Sequence, residues 1–270
     1  MNLTQALHTA ARRYCNERYE HWAVRYSELA RDGRDRDGYN YTPEALRIFP
    51  RYNVLNAIRI ELERLNPADL ENLDDVRNYI ILAGQATDDD FTRKPLGQID
   101  ADAMADERES FCSFVSGLSE ADLQSVEPLP YQRVLSSSES KAVWTGLRER
   151  WQVTDGYWYP LQECSLSDIV AFQDRPFREF FSSTSLANLL SSRGICRIWE
   201  LREFGPEYEQ DVSVFDPLYN GAEGYWSSGD LDWIVYASDE SSITVGGWLL
   251  QEIKTQWPEW KQRIWESTFF

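Results

Sequence analysis

Near the C-terminal end of the chain, Trp233-Ile234-Val235-Tyr236-Ala237-Ser238 is followed, after Asp239-Glu240-Ser241, by Ser242-Ile243-Thr244-Val245-Gly246. Two runs rich in β-branched and aromatic residues, separated by three polar turn formers, read as a β-hairpin. A sheet here needs cover, and Trp248, Leu249, Leu250 and Ile253, then Trp260, Ile264 and Trp265 beyond Pro258, form the apolar stripe that provides it. Residues 195–204 read as another strand, with Ile195, Arg197, Trp199, Leu201 and Glu203 on one face and Cys196, Ile198 and Phe204 on the other. Short strands are expected within 208–215 and 225–227, an extended edge over Gly156-Tyr157-Trp158-Tyr159-Pro160-Leu161, and helices over 166–172 and 177–190.

The N-terminal half has a different period. Leu3, Leu7, Ala10, Ala11, Tyr14, Cys15, Trp22, Tyr26 and Leu29 recur every three or four residues, which predicts one long amphipathic helix ending at the loop Asp32-Gly33-Arg34-Asp35-Arg36-Asp37-Gly38. A second helix is expected to start at Thr42-Pro43-Glu44-Ala45, where Thr caps and Pro suits the first turn, and to be interrupted by Pro50. Helices over 54–65 and 76–83 follow, the latter opened by Asn72. Residues 85–106, with Asp88-Asp89-Asp90 and Lys94-Pro95, read as a loop or connector. A helix around Phe111, Phe114, Val115 and Leu118 comes next, and Ser136-Ser137-Ser138-Glu139 resembles a capping box opening a further one. The resulting class is α+β: a mainly helical region, 1–152, packed with an α+β region, 153–270, whose short, mainly antiparallel sheet is covered by helices. At 270 residues the two regions can form a single compact body.

Charge narrows the partners. The chain carries 27 basic and 45 acidic side chains, a net charge of -18. The imbalance lies downstream: residues 1–64 have 11 basic and 9 acidic groups, 65–150 have 8 and 17, and 151–270 have 8 and 19. Such a field repels nucleic-acid phosphates and anionic lipid, so neither nucleic acid nor membrane is an expected partner, whereas a basic protein is. No apolar run approaches the roughly 18 residues of a membrane span, and the polar start Met1-Asn2-Leu3-Thr4-Gln5 lacks a secretory pattern. The expected location is therefore cytoplasmic. Cys15, Cys112, Cys164 and Cys196 are widely spaced, form no CxxC pair, and read as buried thiols.

Catalytic grammar is sparse. His8 and His21 are the two histidines, both on the first helix, which leaves no multi-histidine metal motif and no ready Ser-His-Asp or Cys-His pair. GxSxG, GxxxxGK[ST] and GxGxxG do not occur. No catalytic residue, metal ligand or cofactor is assigned. Carboxylates gather at Glu207, Glu209, Asp211 and Asp216 and again at Asp230, Asp232, Asp239 and Glu240; such groups can do acid/base work or hold a divalent ion, or simply face solvent and a partner. A divalent-ion enzyme and a structural subunit thus stay open beside a binding protein.

The densest signal is aromatic: Tyr219, Tyr225, Trp226, Trp233 and Tyr236 surround Asn220-Gly221-Ala222-Glu223-Gly224. These side chains either fill a core or stay exposed as interface anchors. The run from Gly224-Tyr225-Trp226 through Asp230-Leu231-Asp232-Trp233 and the hairpin to Gly246-Gly247, then a helix ending in Trp257-Pro258, resembles the strand-strand-helix ending of small bacterial immunity-type and related cytosolic proteins. That resemblance covers about the last 80 residues and implies neutralisation of a toxin or other effector by stoichiometric binding. The expected binding surface is Tyr225, Trp226 and Trp233, rimmed by Asp230, Asp232, Asp239 and Glu240.

Overall fold

The computed structural model describes residues 1–66, 69, 71–154 and 156–266. The fold is α+β, in two compact units, Met1–Leu129 and Pro130–Phe270.

In the first unit, α1 (Leu3–Arg31) starts with a capping box in which Asn2 and Gln5 satisfy each other's backbone N–H groups. A two-stranded turn, β1 (Arg36–Asp37) and β2 (Asn40–Tyr41), replaces the plain loop expected there. Thr42 caps the short α2 (Pro43–Leu46), and α3 (Phe49–Leu62) follows. Pro50 does not separate two helices as expected: it sits in the first turn of α3, where its missing N–H has no helical partner to lose. Asn72 caps α4 (Leu73–Ala86) through the N–H groups of Asp74 and Asp75. The expected connector ends early, because α5 (Gln98–Gly117) already begins at Gln98, and α6 (Glu120–Gln124) closes the unit.

Leu7, Ala11 and Cys15 of α1 pack with Leu55, Ile58 and Leu62 of α3, Ile80 of α4, and Phe111 and Val115 of α5. Two carboxylates buried here, Glu63 and Glu107, face arginines, which offsets the hydration they lose, while the buried Asp100 accepts from the Leu96 N–H. Arg12 meets Glu63 at 3.1 Å, and the buried carboxylate of Glu107 accepts from Arg18, Arg51 and the Trp22 indole. His8 is also buried; its ring donates to the Leu62 carbonyl at 2.9 Å, and burial lowers its pKa to about 4. Of the four cysteines, Cys15 is buried, Cys112 and Cys164 are half-buried and Cys196 is exposed, so only Cys15 is the interior thiol expected of all four.

The second unit is built on a seven-stranded antiparallel sheet. Its strands are β3 (Gln132–Val134), β4 (Ile169–Gln173), β5 (Arg197–Arg202), β6 (Tyr208–Asp211), β7 (Gly224–Ser227), β8 (Trp233–Ser238) and β9 (Ser242–Gly247), ordered β3-β6-β5-β7-β8-β9-β4. β8 and β9 form the expected hairpin. One sheet face, with Trp226, Trp233, Val235 and Val245, packs against α8 (Asp174–Phe180), α9 (Ser183–Ser192) and α10 (Trp248–Gln256). The other face, with Leu201, Tyr225, Ile234 and Tyr236, packs against α7 (Ser137–Trp151) and Trp158.

Four local expectations change. The boundary near 152 moves to Leu129/Pro130, because Val143, Leu147 and Trp151 of α7 complete the core of the sheet. Residues 166–172 are not a helix: Ile169 to Gln173 form β4, whose backbone pairs with β9 from Ile169 opposite Gly246 to Gln173 opposite Ser242. The helix expected over 177–190 is two, since Ser182 leaves helical geometry and accepts from the Ser185 N–H to cap α9. Residues 157–161 form no strand; the N–H groups of Leu161 and Gln162 turn back onto the Trp158 carbonyl.

Candidate functional site

Between α7 and the β3-β6-β5 side of the sheet runs a groove of about 340 Å³. Its walls are Leu135, Ala142, Val143, Trp199 and Leu231, and its polar end is Arg133, Glu139 and Glu209. That volume lies within the range of ligand-binding clefts, which are largely apolar with a few placed polar groups.

The polar end is assembled from local and long-range geometry. Ser136 and Glu139 form the capping box of α7: the Ser136 hydroxyl accepts from the Glu139 N–H at 3.3 Å, and Glu139 Oε2 accepts from the Ser136 N–H at 2.8 Å. The same carboxylate takes the guanidinium fork of Arg133, Nη1 to Oε2 at 2.9 Å and Nη2 to Oε1 at 2.8 Å. Arg133 lies directly opposite Glu209 across the β3-β6 ladder, and its Nη2 also donates to Glu209 Oε2 at 3.0 Å. Its Nε donates to the Tyr131 hydroxyl at 3.1 Å, which in turn donates to Glu209 Oε2 at 2.9 Å. The hydrogen bonds from Arg133, then those from Ser136, hold the Glu139 carboxyl down at about 2, while the Glu139 bond raises the Arg133 pKa.

Glu209 is in turn directly opposite Trp199 on β5, so Arg133, Glu209 and Trp199 form one row across three strands. Side chains in such cross-strand pairs stand about 5 Å apart at Cβ. Beside that row Arg197 pairs with Asp211 at 2.7 Å and stacks over the Tyr131 ring at 4.1 Å.

The apolar lip has its own construction. Leu231 adopts φ +52°, a left-handed conformation that costs a bulky residue energy and needs support from its surroundings. Its carbonyl accepts from the Trp151 indole at 3.0 Å and its N–H donates to the Ser228 carbonyl at 2.9 Å. Its side chain fills a notch on α7 at Gly146, where an added Cβ would stand 2.4 Å from Leu231 Cδ1. A mid-helix glycine costs about 0.5–1 kcal/mol relative to alanine, and here it makes room for the lip.

The residues expected to form the binding surface separate. Tyr225, Trp226 and Trp233 are each 0% exposed. They are core, because β7 and β8 are interior strands packed on both faces, and they cannot anchor a partner in this fold. Asp230 and Asp232 are exposed on the loop before β8, where Asp232 accepts from the Trp248 indole at 3.1 Å. Asp239 and Glu240 follow β8 at its other end, roughly 20 Å away at the usual strand rise. The four acids therefore do not rim one site. Asp230 and Asp232 flank Leu231 in sequence but do not line the groove, whereas the Asp239 N–H donates to Glu223 and the Glu240 carbonyl accepts from the Trp265 indole. Glu223 itself is 4% exposed, and burial pushes its carboxyl up to about 7.

No protein-family model, no curated protein and no solved structure matches the chain. The chemistry of the groove is therefore read from its own residues. The carboxylates at 207–216 do not converge: Glu207 accepts from the Trp144 indole, Glu209 and Asp211 serve Arg133 and Arg197, and Asp216 accepts from Ser183. Among the described residues no group of three or more His, Cys, Asp or Glu side chains is placed to hold a metal ion. Of the groove residues, Glu139 had a local signature in its capping box. Arg133 and Leu231 carried none, since they depend on partners 76 and 80 positions away, Glu209 and Trp151, and Trp199 meets Glu209 only through the register of β5 on β6.

Proposed function

We propose that this chain is a stoichiometric binding protein of bacterial immunity type, which neutralises a basic toxin or related effector in the cytoplasm by covering it. The observation that carries this reading is the groove beside α7: an open, mostly apolar cleft whose polar end has two carboxylates, Glu139 and Glu209, against one guanidinium, on a chain of net charge -18. Groups that meet a partner in this way set association rate and selectivity through their field. Exposed aromatic surface lies nearby in sequence at Phe204, which is 68% exposed and flanked by Glu203 and Glu207. No described helix is long and apolar enough to cross a membrane, which fits a partner met in solution.

The test is co-expression and purification with the basic products of genes adjacent to its own in the native host. A 1:1 complex by light scattering, an affinity that falls with added salt, and relief of that product's toxicity on co-expression are the expected results. If no adjacent product binds or is neutralised, or if the purified chain turns over a substrate in their place, the reading is wrong.

A further inference from the structure

We infer that the groove beside α7 seats a single arginine or lysine side chain projected by the basic partner, with its charged head at the Glu209–Trp199 pair and its aliphatic stem along Leu135, Val143 and Leu231. This inference rests on the proposed binding function and specifies its contact.

The choice of a cation follows from hydrogen-bond capacity. Arg133 has five N–H donors, and four are already directed to Tyr131, Glu139 and Glu209. An anion entering the groove would find a nearly saturated guanidinium and two carboxylates. Glu209 is in the opposite condition: both Arg133 and Tyr131 donate to Oε2, and Oε1 accepts no hydrogen bond from the described residues. The polar end thus offers an unused acceptor and an excess negative charge, the complement of an ammonium or guanidinium.

Trp199 supplies the second half of the seat. It is the cross-strand neighbour of Glu209, is half-buried, and lines the groove. A cation held by the carboxylate lies within reach of the indole face, where the ring quadrupole attracts it. The same pairing already occurs beside the groove, with Arg197 over Tyr131 at 4.1 Å and Arg148 over Trp144 at 5.6 Å. Leu135, Val143 and Leu231 then offer apolar surface for a methylene stem, in keeping with how long cationic side chains distribute their apolar and charged parts. The strained Leu231 conformation and the Gly146 notch hold that wall in place.

The experiment uses the full chain and defined probes: N-acetyl-arginine amide, N-acetyl-lysine amide, the neutral isostere N-acetyl-citrulline amide, and N-acetyl-aspartate amide. Indole N–H resonances are followed by NMR, with Trp199 assigned by Trp199→Phe. Saturable shifts at Trp199 with the arginine or lysine probe, at least tenfold weaker with citrulline and absent with aspartate, are expected. Glu209→Gln should weaken the arginine probe tenfold or more. Ala142→Phe, a change at an exposed α7 position that fills the groove, should do the same while leaving the melting temperature near that of the parent. Equal response to arginine and citrulline, a response to aspartate, or shifts that bypass Trp199 would each overturn the seat. The two ideas separate in the partner assay: a neutralising complex untouched by Glu209→Gln and Ala142→Phe removes the seat and leaves the binding function, whereas absence of any complex removes the function.

Discussion

Trp226→Ala tests whether the aromatic strands are core. Trp226 lies on the face covered by α8, α9 and α10, is fully buried, and meets Phe215 edge-on with ring centroids 6.3 Å apart. Truncating a buried tryptophan to alanine costs about 3–5 kcal/mol, from lost transfer energy and the cavity left behind. One feature lowers the figure: the Trp226 indole N–H has no hydrogen-bond partner among the described residues, and removing an unsatisfied buried donor returns about 1–3 kcal/mol. The net expectation is about 2–4 kcal/mol, a fall in melting temperature of roughly 6–16 °C for a unit of this size. Trp226→Phe keeps an aromatic ring and deletes the orphan donor, so it should cost less than half as much. Thermal and urea unfolding by circular dichroism measure both. A Trp226→Ala protein melting within about 2 °C of the parent, or Trp226→Phe as damaging as alanine, would refute the core assignment.

Gly146→Ala should destabilise by about 1–2 kcal/mol despite alanine's helix preference, because the new Cβ collides with Leu231; a gain of about 1 kcal/mol would mean the notch is not needed. Glu139, depressed to about 2 in the fold, stabilises above the unfolded carboxylate range near 4.5 and loses that contribution as pH falls toward 2. Its side chain is well exposed, so the effect is at most about 1 kcal/mol, and Glu139→Gln should remove it from an acid-titration series of urea melts. Glu223 has the opposite sign: raised to about 7, it binds its proton more tightly in the folded chain, so stability from this group falls as pH rises from about 4.5 to 7. Glu223→Gln should flatten that slope and raise the melting temperature above pH 7; an unchanged slope would show that the carboxyl titrates normally.

What could be read along the chain was what neighbouring residues decide between themselves. Thr42, Asn72 and Ser136 cap helices because each side chain reaches N–H groups two or three positions on, and the hairpin at Trp233–Ser238 and Ser242–Gly247 closes through a three-residue turn. Its alternation is also local, which is why the α+β class followed from periodicity. Strand order is not local, and it decided burial. Tyr225, Trp226 and Trp233 are as aromatic as any interface anchor, but β5 and β8 flank β7 while helices cover both faces, so the anchors became core. The same holds for 166–172, where a run compatible with either period became a strand once β9 offered it a ladder. The groove lies furthest from local reading. Arg133 and Glu209 are 76 positions apart, and only the pairing of β3 with β6 and β6 with β5 sets guanidinium, carboxylate and indole in one row, because register rather than sequence distance determines which side chains meet.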